Sequence, residues 1–232
     1  MKTQILLSVI GLTLLSGCQG NERLVEKAGL EGAVAAEKQV DAENVNLKRR
    51  SSELELDLSR RQRFFQAVAG TYEGSLQTDQ GAFNMRVTLV STIPPFASDR
   101  TRMPEEIVSD LNNLSISTQI VQWHPSNSMS ATGCRAMGIR PNLTEGELTV
   151  ASSECPNFYT VKISDEPGAG KDEADPENRE SLKRKWSQEA SQSEKIAHAI
   201  LEGKGGVVQH LIGQMKPTTN AEVYYFMLKR VE

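Results

Sequence analysis

Gly70-Thr71-Tyr72-Glu73-Gly74-Ser75-Leu76, the turn residues Asp79-Gln80-Gly81, and then Asn84-Met85-Arg86-Val87-Thr88-Leu89 form the stretch that decides the fold class. On an extended chain successive side chains point to opposite faces, so Tyr72, Gly74 and Leu76 share one side. Asn84 to Leu89 alternates in the same way, and a Gly-bearing turn between two such runs is a hairpin signal. Working outward, Ser115–Val121, Gly146–Val150 and Phe158–Ile163 continue the two-residue period. Val207–Ile212 and Glu222–Leu228 follow, separated by Lys216-Pro217-Thr218-Thr219-Asn220. Short alternating runs in close succession predict an antiparallel β-barrel or sandwich of about seven strands.

Two segments interrupt these strands. From Ile93 to Asn113 the chain carries prolines and ends in a short helix over Glu105–Leu111, with Pro104 in its first turn. From Asp165 to Glu202 it first carries Asp172, Glu173, Asp175 and Glu177 among Gly and Pro, the composition of a solvated loop. Leu182, Trp186, Ile196, Ile200 and Leu201 then mark an amphipathic helix stopped by Gly203. This loop and helix are an insertion before the last two strands.

Upstream of Gly70 the texture is different. Asn21 to Gln66 is polar, charged and free of proline. Ala33, Val40, Leu47 and Leu54 recur every seven residues until Arg61 breaks the series. The companion positions Leu30, Glu37, Asn44, Ser51, Leu58 and Phe65 are half apolar. A coiled coil wants both seams apolar, so one long helix with a single apolar stripe fits better, with a dimeric or trimeric stalk as the alternative. From Ala33 to Gln66 it would extend on the order of 50 Å. Gly29 and Gly32 weaken the part before it. Lys48-Arg49-Arg50 and Arg60-Arg61-Arg63 are basic, but Glu53, Glu55 and Asp57 lie between them at pairing distance along a helix.

The N-terminus gives an address. Met1-Lys2-Thr3-Gln4 is followed by an apolar run from Ile5 to Leu15, the length of a signal-peptide core and too short to span a bilayer. It ends in Leu15-Ser16-Gly17-Cys18, which resembles the lipobox of bacterial lipoproteins. The resemblance implies that Cys18 is acylated, that residues 1–17 are removed, and that membrane lipid is the anchor. Several acyl chains hold far more durably than one. Gln19, where an Asp would signal inner-membrane retention, implies the outer membrane. With Cys18 consumed, Cys134 and Cys155 remain, and beyond the inner membrane such a pair is expected as a disulfide.

Chemistry is sparse. The chain has 232 residues, a formal net charge of −4 and 38% hydrophobic residues. It therefore carries no global attraction to nucleic acid. His124, His198 and His210 stand outside metal or nucleophile spacings, and Gly-x-Ser-x-Gly is missing from Ser128 to Gly133. Gly203-Lys204-Gly205-Gly206 lacks the rest of a phosphate loop and reads as a helix stop. The acidic loop lacks the order of a calcium loop. Asn113-Leu114-Ser115 and Asn142-Leu143-Thr144 match glycosylation sequons that mean little behind a bacterial lipobox. No metal or cofactor is expected, and no catalytic constellation.

Gly70-Thr71-Tyr72 opening a strand after a helix is similar to the Gly-x-Trp start of lipocalin-like barrels, with Tyr72 in place of Trp. That likeness implies an inward face of Tyr72, Leu76, Val87, Leu89, Ile116, Ile120, Val161 and Val223, either packed as a core or lining a ligand cavity. The expected organisation is a signal peptide over 1–17, an anchor and helical stalk over 18–67, and a β domain over 68–232 with its insertion at 165–202. The expected role is a non-catalytic binding or structural one in the envelope, facing the periplasm, through an envelope protein or self-association of the stalk. The alternative is a carrier or sensor of a small lipophilic ligand.

Overall fold

The computed structural model of the chain describes residues 22–94, 102–139, 141–151, 155, 157–164, 178–218 and 222–231. Cys18 and the acidic residues Asp172, Glu173, Asp175 and Glu177 lie outside the described residues. Internal contacts divide the chain into residues 1–49 and 50–232. Helix α1 covers Glu22–Val68, beginning before the expected Ala33 and passing through Gly29 and Gly32. Each glycine costs a helix about 1 kcal/mol relative to Ala. The Glu, Lys, Leu and Ala residues around them are strong helix formers and offset that cost.

In the second unit eight strands follow one another: β1 Gly70–Thr78, β2 Gly81–Thr92, β3 Ser115–His124, β4 Asn127–Ile139, β5 Glu147–Val150, β6 Asn157–Ser164, β7 His210–Pro217 and β8 Tyr224–Arg230. Two helices interrupt them, α2 over Pro104–Asn113 and α3 over Arg179–Leu201. All pairings are antiparallel, in the order β4-β3-β2-β1-β8-β7-β6-β5. Because β1 pairs with β8, the sheet curls into a nearly closed barrel whose two edges, β4 and β5, form a seam.

The count is eight where seven strands are expected. The additional one is β4, whose sequence Asn-Ser-Met-Ser-Ala-Thr-Gly-Cys-Arg-Ala-Met-Gly-Ile is rich in small residues. As an edge strand it owes its place to the β3 ladder more than to apolar alternation. That ladder shifts register near both ends. Bulges of this kind blunt an exposed edge.

The inward face is a packed core. Tyr72, Leu76, Val87, Leu89, Ile116, Ile120 and Val161 are all buried, joined by Met85, Leu148, Ile163, Leu211 and Phe226. Val223 is the exception, because it precedes β8 and is only half-buried, while Tyr224, Phe226 and Leu228 face inward. Tyr224-Tyr225-Phe226-Met227 is apolar at every position, so the period does not fix its phase. A one-residue slip in phase exchanges the two faces. Phe226 lies opposite Gly213, and its ring occupies the space that a Cβ on Gly213 would need.

The outward face is largely polar, with Val90 and Phe158 exposed among its charged residues. Glu73, Arg86, Gln119, Arg135, Lys216 and Lys229 occupy it, with Arg86 Nη2 2.5 Å from Glu73. That is the reverse of a bilayer-spanning barrel, which is apolar outside. No described helix is long and apolar enough to cross a membrane.

Helix α3 covers the outer wall over β6, β7 and β8. Asn178 caps it by accepting from the amides of Glu180 and Ser181 at 3.0 and 3.2 Å. Arg179 Nη2 donates to the Val223 carbonyl at 3.0 Å, near the start of β8. Leu182 is buried on the helix and Ile212 on the outward side of β7. Lys162 Nζ sits 4.1 Å from the Trp186 ring. Glu189, 1% exposed, pairs with Lys185 at 3.0 Å. The helix then runs to Leu201 beside the start of β7, where Arg63 Nη1 donates to the Leu201 carbonyl at 3.2 Å.

Candidate functional site

Three places in the barrel unit concentrate polar chemistry: the end where α1 enters, the β4/β5 seam, and the loop after α3. At the first, Val68 ends α1 two residues before β1 begins, which carries Tyr72 under the last helical turn. Its hydroxyl donates to the Val68 carbonyl at 2.9 Å and reaches the Val208 carbonyl at 3.3 Å. Arg230, at the end of β8, lies opposite Tyr72. Its guanidinium carbon is 5.7 Å from the Tyr72 ring, and Nη1 donates to the Tyr72 hydroxyl at 3.3 Å and to the Ala67 carbonyl at 3.4 Å. Burial pushes the Tyr72 phenol up to about 12, with the Arg230 charge and hydrogen bond pulling the other way. This cluster ties helix, first strand and last strand together. Tyr72 faces inward, as its place in the alternating run predicts. Arg230 is not legible until the phase of β8 is known, for only then does it stand as a cation on the inward face.

At the seam Cys134 of β4 and Cys155, between β5 and β6, form a disulfide with Cα atoms 5.0 Å apart. Beside it Gln122 Nε2 donates to the Tyr159 hydroxyl at 3.1 Å, and Asn157 Nδ2 does so at 3.2 Å. Burial raises the Tyr159 phenol, and these two bonds oppose it. A void of about 50 Å³ is lined by these polar groups, Thr132, Gly133, Cys134 and Ile120. That volume suits water between polar partners and is far below the several hundred Å³ of a drug-sized ligand site.

At the third place two open clefts, about 290 and 360 Å³, flank Gly205, Gly206 and Val207. One is walled by Ile196, Ala199 and Lys195, the other by Ile200, Ala67 and Arg63. The loop amides do not form a phosphate cradle. Gly203 N–H donates to the Ile200 carbonyl at 3.0 Å, and the Lys204 and Gly205 N–H groups donate to the Ala199 carbonyl at 2.8 and 2.9 Å. Gly203 supplies the positive φ, +75°, that ends the helix. Gly203-Lys204-Gly205-Gly206 is a helix stop, and Lys204 pairs with Glu202 at 2.7 Å.

The histidines are not drawn together into a site. His124 ends β3, with Nδ1 2.6 Å from the Ser126 hydroxyl and its ring edge-on to Phe83. His198 is exposed on α3 beside Glu202, and His210 is buried at the start of β7, the opposite end of the barrel from His124. Among the described residues no group of three or more His, Cys, Asp or Glu side chains could hold a metal ion. Asn142 anchors a turn, its side-chain oxygen accepting from Thr144 at 2.8 Å.

The chain matches no protein-family model, and neither a curated protein nor a solved structure matches it.

Proposed function

We propose that the protein is a lipid-anchored component of the bacterial cell envelope, acylated at Cys18 and held at the outer membrane facing the periplasm. In this reading α1 is a helical spacer, and the barrel has a non-catalytic binding or structural role. The observation that carries the proposal is Leu15-Ser16-Gly17-Cys18 closing the apolar run Ile5–Leu15. The paired Cys134 and Cys155 support it, since a disulfide persists in an oxidising compartment. The polar outer wall supports a water-facing barrel, and its packed interior directs recognition to the surface.

Membrane fractionation with intact-mass analysis of the wild type and Cys18→Ala is the test. The expected result is a lipid-sized increment on a chain beginning at Cys18, lost in the variant. An unmodified wild-type chain in the aqueous fraction would sink the proposal. The carrier reading is the second, favoured by the two clefts beside Val207, whose volumes reach the lower range of ligand sites. It predicts that a lipophilic fluorophore binds the intact chain and that Val207→Glu abolishes binding.

A further inference from the structure

Resting on the tether proposed above, we infer that the N-terminal part of α1 pairs in parallel and in register with a second copy of this chain. The structure separates two uses of the helix's apolar stripe. Within residues 50–232 its members Ser51, Leu58 and Phe65 are buried. Within residues 1–49 the stripe continues unburied, with Val40 55% and Leu47 44% exposed.

The exposed part has the spacing of a two-stranded seam. Ala33, Glu37, Val40, Asn44 and Leu47 are separated by four, three, four and three residues. That alternation keeps the five positions on one supercoiled line. Glu43 and Lys48 lie on opposite shoulders of the line. In a parallel, in-register pair Glu43 of one copy meets Lys48 of the other, twice by symmetry. Asn44 meets Asn44 of the second copy across the seam, a polar contact that fixes register and favours two strands at a cost in stability. Orientation follows from the anchor. Glu22 to Arg49 is about 40 Å of helix, so for helices standing off the membrane an antiparallel pair would put its two anchors that far apart along the normal, and one leaflet holds both when the helices are parallel. Glu37 weakens the seam, and two heptads bind weakly in dilute solution. Confinement of both copies to one leaflet raises their effective concentration enough for a weak pair to form.

The test uses the full chain in vesicles of the bacterial envelope, with single cysteines introduced at Leu47→Cys or Val45→Cys and oxidised with copper phenanthroline. Leu47 is on the seam and Val45 is not. The expected result is a covalent dimer from Leu47→Cys at roughly five-fold the yield of Val45→Cys. Adding Glu43→Lys should lower that yield, and Glu43→Lys with Lys48→Glu should restore it. Equal yields at the two positions, or indifference to the charge exchange, would overturn the pairing. Intact mass of the same preparations reads acylation of Cys18 separately. An acylated chain without seam preference refutes the pair and keeps the anchor. An unacylated chain with that preference does the reverse.

Discussion

Removal of the Cys134–Cys155 bond tests whether the barrel is as asymmetric as its pairing implies. On the β1/β8 side the wall is continuous, closed by a six-residue ladder from Tyr72–Arg230 to Gln77–Tyr225. At the seam no ladder joins β4 to β5, and the disulfide is the covalent link across it. The two cysteines are 21 residues apart. In the chain-entropy account, closing a loop of that size removes unfolded-state freedom equivalent to roughly 3 kcal/mol. The perturbation is Cys134→Ala with Cys155→Ala, alanine being chosen because a hydroxyl at the buried Cys155 position would need a new partner. In urea at 25 °C the midpoint should fall by about 1.5 M if the slope is near 2 kcal/mol/M. The slope should rise slightly, because the unlinked unfolded chain is more extended. Hydrogen exchange should accelerate first in β4 and β5 and least in β1 and β8. A loss below about 1 kcal/mol, or deprotection shared equally by β1 and β8, would refute the reasoning that the bond holds the seam.

Arg230→Met should cost roughly 2 kcal/mol, because the Tyr72 hydroxyl and Ala67 carbonyl lose a charged donor; full recovery by Lys at that position would show that stacking on the ring contributes nothing. Gly213→Ala should cost about 1–3 kcal/mol through collision with the Phe226 ring. Phe226→Leu on that background should return part of it, and strictly additive losses in a denaturation series would count against the contact. Lys185→Met should cost about 3 kcal/mol by leaving Glu189 buried without its cation, whereas Lys185→Met with Glu189→Met should approach wild-type stability. Equal stability of the single and double variants would dismiss the pair. The Tyr72 phenol, raised to about 12 in the fold, keeps its proton when the unfolded chain's tyrosine ionises near 10. Its contribution is therefore intact below pH 10 and is lost as pH rises from 10 through 12, by roughly 2.5 kcal/mol. Comparing absorbance at 295 nm between wild type and Tyr72→Phe isolates that group, and ionisation near pH 10 in the folded protein would contradict its burial.

Legibility tracked how each element is stabilised. β1, β2, β3 and β6 declare themselves because apolar residues alternate with polar ones and their partners bury one face. Helix α3 does so through its spacing and the Gly203 stop. β4 is silent, since Ser, Ala, Gly and Thr carry no period and its ladder with β3 is a tertiary fact. β8 is visible as a strand but not in phase, which hides Arg230 together with the inward position of Tyr224. The pairing of Cys134 with Cys155 is expected from the compartment that the lipobox-like segment implies and from counting, without knowledge of where the seam lies. The Gln122, Asn157 and Tyr159 network has no sequence signal, because three residues from β3 and β6 meet only when the barrel curls.

That division also explains why the functional reading comes from the first eighteen residues. A barrel position is selected for volume and phase, and many sequences satisfy both, so packing residues such as Leu76 or Ile163 carry no chemistry to read. An address of the proposed kind would be recognised by other molecules as a linear segment, so Leu15-Ser16-Gly17-Cys18 can be read without knowledge of the fold that follows. The stalk lies between these cases. From Ser51 onward its stripe is buried within the barrel unit, and in the first unit Val40 and Leu47 are exposed. The stretch is continuous with the buried part of α1 and well beyond the roughly 12–15 residues below which a helix is marginal in water, although Gly29 and Gly32 weaken its first half. Its apolar stripe nevertheless keeps heptad spacing through Val40 and Leu47 while both are exposed, which is the pattern the proposed partner helix would use. Pairing of tethered copies would bury those two side chains and add to the helix a stability that solvent does not supply.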